Sequence, residues 1–417
     1  MSDNSVAYHA REQRFLDAIA LSEPDRVPIL EPGTNAFPYH YSGYTMAEVV
    51  YDIDKAKSAI KKYLLDFDID SGHTIGNCCE GQGLMLEKSR SKTNYWAGMP
   101  EAVIDENSIQ QFIEFPLLEG YEYEHFLKDR TGTLLTRVLP RAYGIFEPLT
   151  KLNTDLLFLS APNYGYLAGL FADPDFKSMA EDLAELAQMS AEYGQQAGQL
   201  ATEVEEMGYP LMTGGAVIVS YDSISDFYRG TIGMSTDLYD YSDEVKHILD
   251  EHAKQVLAGL RARSNPNRLV FIPMHKGMDG FLSDEQYATY YWPYLMAMVN
   301  TIIDAGMIPY VYTEGPYTSR LAFLKQLPAG KCLVHFEGVD MALAKQELGD
   351  IACLTGNFEA HYLTYASKEQ VIEKTKRLLD VVAPGGGYVF DFDGGLYNAI
   401  PENVAACFET IKEYGKY

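Results

Sequence analysis

The sequence predicts an α/β protein built on a closed (β/α)8 barrel, with an N-terminal helical extension and insertions, and three observations point there. Apolar, β-branched runs alternate with helical repeats through the C-terminal two-thirds, the pattern of parallel strands joined by crossover helices. Polar residues capable of chemistry stand where those runs hand over to loops, the side of a parallel barrel on which catalytic side chains gather. Nucleotide-binding sheets lose their usual support, because no GxGxxG follows a strand and no GxxxxGK[ST] loop occurs. The GGG at 385–387 lies before a strand, which is the wrong context. At 417 residues the chain is long for one simple core but fits a single barrel domain over 1–417, with residues 1–150 containing the helical elaboration.

Taken in order, residues 11–21 carry a short helical pattern before Pro24, RVPIL reads as a first strand, and EPGTNAFPYHYSGY as a turn-rich loop. Thr45 and Glu48 form a capping box that opens a helix through Val49, Ile53, Ala56 and Ile60 to about Leu65. FDIDSGHTI is a possible second strand, and residues 80–150 read as an elaboration containing short helices. A long helix is expected from Pro174 to Met207, then a strand in YPLMTGGAVIV, a helix from about Ser242 to Arg261, and a strand in RLVFIPMHKG. Ser283 and Gln286 cap a helix running through Tyr287, Tyr291 and Trp292 to Ala305. From Met307 to Glu359 the pattern is strand, helix, strand, helix, strand. Tyr310-Val311-Tyr312 stops at Glu314-Gly315, KCLVHFEG places His335 and Glu337 near its end, and IACLTGNFEA closes on Asn357 and Glu359. Ser367 and Gln370 cap a further helix, GGGYVFDFDGG makes the last strand, and ENVAACFETIKEYG a terminal amphipathic helix.

Composition narrows the function. With 33 basic and 59 acidic residues the net charge is −26, which argues against electrostatic binding to nucleic acid or to an anionic membrane. No apolar run approaches the roughly 20 residues that span a bilayer, and the first residues lack the apolar core of a secretory signal, so a cytoplasmic location is expected. The five cysteines are scattered, with no CxxC pair, and read as reduced thiols. Thirty-one tyrosines and nineteen phenylalanines suit an aromatic ligand, although most belong to ordinary core.

The polar strand-end residues are Asp222, His275, Glu314, His335, Glu337, Glu359, Asp391 and Asp393, positions that converge in a barrel. Converging carboxylates and imidazoles are the ligands of a divalent metal, zinc first, in an open catalytic site. Glu314 and His335 end successive strands, and Asp391 and Asp393 share one side of a strand, so that one could be a ligand and the other support it. Against this stand plain readings: Glu314 favouring a helix dipole, His335 a satisfied core histidine, and His275-Lys276 a loop feature or a pair for a substrate carboxylate.

REQRFLDAIALSEPDRVPIL, VDMALAKQELGDIACLTGN and PENVAACFETIKEYGKY together resemble the uroporphyrinogen decarboxylase superfamily, and particularly its corrinoid-dependent methyltransferase branch. SYDSISDFYRGTIG and HKGMDGFLSDEQYATYYWP look like the methyltransferase components of anaerobic O-demethylase systems. The resemblance implies a TIM barrel with its cleft at the strand C-terminal ends. It also implies departures. Decarboxylases of the family carry an arginine-rich motif after the first strand, whereas no Arg lies between Arg26 and Arg90 here, which argues against decarboxylation of a polycarboxylated tetrapyrrole. Thiol-methylating relatives carry His-x-Cys-Gly and a later Cys as zinc ligands. The matching stretch here is Tyr312-Thr313-Glu314-Gly315, and the later position falls near Asp391 or Asp393.

An oxygen-rich site suits polarisation of an ether oxygen better than activation of a thiol. The expectation is therefore a metal held by Glu314, His335 and Asp391 or Asp393, and methyl transfer from an O-methyl donor, an aryl methyl ether foremost, to cobalt(I) of a corrinoid carried by a partner protein. Asp222, His275 or Tyr312 would protonate or position the departing oxygen. The alternatives are transfer from a methylcorrinoid to tetrahydrofolate or a thiol, and a non-catalytic barrel that binds an aromatic ligand.

Overall fold

A computed structural model describes residues 3–30, 35–101, 103–160 and 164–417. Two short strands, β1 (Asn94–Tyr95) and β2 (Gln111–Phe112), pair antiparallel within the elaboration. Six parallel strands follow in spatial order: β3 (Thr213–Ala216), β4 (Leu269–Met274), β5 (Ile308–Thr313), β6 (Leu333–Phe336), β7 (Cys353–Gly356) and β8 (Tyr388–Val389). The register aligns Tyr312 with Pro273 on one side and with His335 on the other, and His335 in turn with Thr355.

The expected first and second strands are not regular strands. Each is an extended segment held by isolated hydrogen bonds, and together they close the ring. Leu30 donates to the Phe390 carbonyl at 2.9 Å and Phe390 to that of Pro28 at 2.8 Å. Asp70 donates to the Ile29 carbonyl at 3.2 Å, and Gly72 to that of Pro210, just before β3, at 2.8 Å. Pro28 has no N–H to offer a ladder, and the Ile29 N–H goes to the Asp70 carboxylate at 2.8 Å instead. The barrel thus has eight positions, two of them irregular.

Most of the expected helices fall where the sequence places them, with informative breaks, but the one expected over 11–21 runs Asp3–Ile19. The capping boxes at Thr45–Glu48, Ser283–Gln286 and Ser367–Gln370 all form. The helix that Thr45 caps, Met46–Tyr51, stops there because Asp52 caps the next, Ile53–Phe67, accepting from the Asp54 and Lys55 N–H groups. The stretch after Ser283 breaks at Tyr291, giving Asp284–Tyr290 and Trp292–Asp304, where Pro293 stands in the first turn of the second helix. Pro174–Glu206 runs 33 residues, and Ser242–Arg261 is helical throughout. Within the expected loop over 31–44, Phe37–Tyr41 forms one helical turn, and 31–34 lie outside the described residues.

The first helix, Asp3–Ile19, plugs the bottom of the barrel. Phe15, Ala18 and Ile19 pack against Leu30, Leu269, Leu333, Cys353 and Val389. Beside that plug, fully buried Asp70 receives Arg14 at 2.6 Å and two Arg26 nitrogens at 2.7 Å, while Arg14 also forks onto Asp25 at 2.6 Å. With the N-terminal end sealed, the C-terminal end is the one left open. No helix among the described residues is long and apolar enough to cross a membrane.

Candidate active site

A cavity of about 650 Å³ opens at the C-terminal ends of the strands, a size that suits a small organic ligand. Its aromatic lining comes from inward-facing positions, Phe271 of β4 and Tyr310 and Tyr312 of β5, with Tyr397 beyond β8. The rings of Phe271 and Tyr312 are 5.1 Å apart and those of Phe271 and Tyr310 5.6 Å apart, so they form a joined surface. His275, Glu314 and Glu337 line the same cavity, each just past the end of its strand. His73, from the irregular second segment, joins them, and burial pushes its imidazole down to about 4, which leaves it neutral at pH 7.

His275 is the best-supported side chain there. Its Nδ1 lies 2.5 Å from Asp226 Oδ2 and its Nε2 3.4 Å from Glu314 Oε1. Burial alone would lower its pKa, but the hydrogen bonds to Asp226 and Glu314 outweigh that and push it up to about 10, so the ring is an imidazolium at neutral pH. Asp222, wholly buried, accepts the His275 N–H and the Lys276 N–H at 3.0 Å each and the Tyr291 hydroxyl at 2.6 Å, which pins the backbone bearing the imidazole. Burial raises Asp222 to about 7 against the pull of His275. Lys276 Nζ stands 3.1 Å from Asp226 Oδ1 and 3.6 Å from Glu114. If Asp226 is what keeps the ring charged, Asp226→Asn should lower the His275 titration midpoint by about one to three pH units, as followed by NMR of the imidazole protons. A midpoint unmoved from about 10 would assign that role elsewhere.

The residues expected to hold a metal are not brought to one point. His335 lies in the barrel interior with its Nδ1 3.5 Å from Asp391 Oδ2, and the Tyr312 ring stacks on it at 3.9 Å. Asp391 accepts the Tyr310 hydroxyl at 3.1 Å and the Phe392 N–H at 2.8 Å, and burial raises its pKa. Asp393 points elsewhere, accepting the Ala360 N–H at 2.9 Å. Glu314 sits against His275, above the stacked rings, and Glu337 accepts the Gly315 N–H at 2.6 Å. Among the described residues no group of three or more His, Cys, Asp or Glu side chains is placed to hold an ion. As arranged, the donor set named from the sequence does not fit one.

Of the side chains expected to protonate or position a departing oxygen, the structure puts His275 and Tyr312 on the cavity and Asp222 behind His275. Asp226 escaped the sequence reading. A signal was present, since Asp222 and Asp226 are four apart in SYDSISDF, a spacing that puts both on one helical face. They stand on the helix Ser220–Ile224 and the π-helical turn Ser225–Arg229 that continues it. That turn is tied down, because the Tyr228 carbonyl accepts both the Leu117 and Leu118 N–H groups at 2.8 Å.

Comparison with known proteins agrees with this architecture. Residues 224–414 match the family model described as uroporphyrinogen decarboxylase (URO-D), so the resemblance read from the sequence holds across that segment. The uroporphyrinogen decarboxylase of Aromatoleum aromaticum (strain EbN1) is 28% identical over 199 residues, 46% of this chain and 53% of the relative. That of Azoarcus sp. (strain BH72) is 26% identical over 199 residues, with the same shares. The chain spans about half the length of the curated relatives it matches. Among solved structures, a methyltransferase from Methanosarcina mazei superposes with a TM-score of 0.60 over 97% of this chain and 98% of that one, at 11% identity, which shows a common fold.

Proposed function

We propose that this chain is a methyltransferase that moves a methyl group from an O-methyl donor, an aryl methyl ether foremost, to cobalt(I) of a corrinoid carried by a partner protein. The observation that carries the reading is the His275 imidazolium, backed by Asp226 and presented to the cavity beside Glu314. Removing a methyl group from an ether leaves an electron pair on oxygen, and an aligned acid makes that departure easier. The joined rings of Phe271, Tyr310 and Tyr312 offer a flat apolar surface for an aryl group. The structural likeness to a methyltransferase supports the same assignment.

The acceptor supplies the nucleophile. In this reading the methyl–oxygen bond breaks as the methyl group bonds to the acceptor, and the electron pair stays on the oxygen. His275 passes its Nε2 proton to that oxygen, and Asp226 holds the ring through Nδ1 while it does so. Asp222 keeps the His275–Lys276 backbone in place throughout. Glu314 stands where it can orient Nε2–H and afterwards help restore the proton. The aromatic wall and the buried floor exclude water from the breaking bond. Leaving-group activation is thus assigned to the His275 imidazolium. Uroporphyrinogen decarboxylation fits poorly, because among the described residues the cavity lining sets Glu314 and Glu337 against one cation, His275, with no Arg or Lys to neutralise a polycarboxylate.

The test is to mix the purified protein with methoxylated aromatics and chemically reduced cobalamin as a surrogate acceptor. Protein-dependent release of the phenol with methylation of the cobalamin is expected. Release of no phenol from any donor would sink the reading, and turnover seen only between methylcobalamin and tetrahydrofolate would reverse its direction.

A further inference from the structure

A second cavity, of about 670 Å³, lies against the other face of the turn that carries Asp222 and Asp226. Ile224 and Tyr228 line it from that turn, and Phe126, Leu127, Leu134 and Ile248 complete an apolar wall. One border carries the Arg130 guanidinium with two imidazoles, His247 and His252, and burial together with Arg130 lowers the His252 pKa, so the guanidinium is the fixed positive charge there. The other charged groups of the lining are committed. Asp129 accepts the Gly132 N–H at 3.0 Å, Glu251 pairs with Lys254, and Lys128 pairs with Glu124. The His252 Nδ1 lies 3.1 Å from the Ser220 hydroxyl, which fixes that ring at the cavity edge. The Arg130 guanidinium has no ion pair within 4.0 Å and no side-chain hydrogen bond among the described residues, although it lies close enough to Glu251 for the two charges to interact.

An uncommitted guanidinium beside an apolar hollow is a specific arrangement in a chain of net charge −26, where most cations are already neutralised by neighbours. The fork of an arginine matches a carboxylate in two parallel hydrogen bonds, and an apolar wall rewards a ligand whose other end is hydrocarbon. We propose that this cavity binds a small organic anion, a carboxylate seated on Arg130 with its apolar body against Leu134 and Tyr228. The site is separate from the barrel mouth, so it does not depend on the methyl-transfer reading.

Isothermal titration of the full chain with hexanoate as the probe tests it, since a saturated six-carbon chain has no ring for the aromatic surface of the first cavity. Saturable one-to-one binding is expected, weakened tenfold or more by Arg130→Gln and likewise when hexanol replaces hexanoate. Arg130 is exposed, so the substitution should leave both the fold and methyl transfer intact. Absence of saturable heat, or equal affinity in the Arg130→Gln protein, would overturn the site. Inorganic phosphate binding as tightly as hexanoate would overturn the apolar part of the ligand description.

Discussion

Replacing His275 by Gln is expected to slow methyl transfer from an unactivated aryl methyl ether by about 10²–10⁴-fold, the usual contribution of a positioned acid. The loss should shrink as the departing phenol becomes more acidic, because a phenolate that is already a weak base needs less help. Initial rates across anisoles bearing successively more electron-withdrawing substituents measure this directly. A loss equal for every donor would mean that the imidazole only holds the substrate, and no loss would remove it from the chemistry. The wild-type rate should also fall as pH rises through about 10, where the imidazolium is lost. The same shift acts on stability. The folded value lies above the unfolded one of about 6.5, so the charged ring stabilises the fold fully below that pH, and the contribution disappears as pH climbs through about 10.

The second large effect lies at the opposite end of the barrel. Asp70→Asn should cost about 3–5 kcal/mol of stability at neutral pH, read as a lowered urea midpoint with an unchanged slope. The carboxylate is wholly buried and answers Arg14, Arg26 and the Ile29 N–H together. Asparagine keeps the shape but leaves Arg26 without its partner charge, whereas Arg14 retains Asp25. A cost below about 1 kcal/mol would place this cluster with ordinary surface pairs.

Much of the architecture was legible because local signals were strong. Ser283–Gln286 and Ser367–Gln370 state helix starts directly, and the run Ile308–Thr313 is apolar enough to be a strand in any context. The first two barrel positions were harder, because their conformation depends on contacts far along the chain. Pro28 cannot support a ladder, and Asp70 uses its side chain for arginines forty and more residues away. At the site, strand alternation identified which residues face inward but not how deep they lie. Successive inward positions are separated by roughly 6.6 Å along a strand. Glu314 therefore sits a layer above Tyr312, whose ring covers His335, and a plausible ligand list divides into two levels. Asp226 was missed for a different reason. It stands on a helical turn, while attention to strand ends favours residues such as Asp391 and Asp393.

The irregular seam has a mechanical meaning for the cavity it borders. On one side, β4 and β5 share a six-residue parallel register and carry His275 and Glu314 at their ends. On the other, Ser71–Thr74 and Gly394–Tyr397 form the wall, beside segments joined through only one or two backbone hydrogen bonds each. Local opening is easiest where few backbone bonds must break together. His275, the proposed proton donor, is therefore mounted on the half of the ring with the regular ladder, and the half with isolated bonds faces it. In the proposed reaction such a division would let the pocket adapt to donors of different outline while the acid keeps its place.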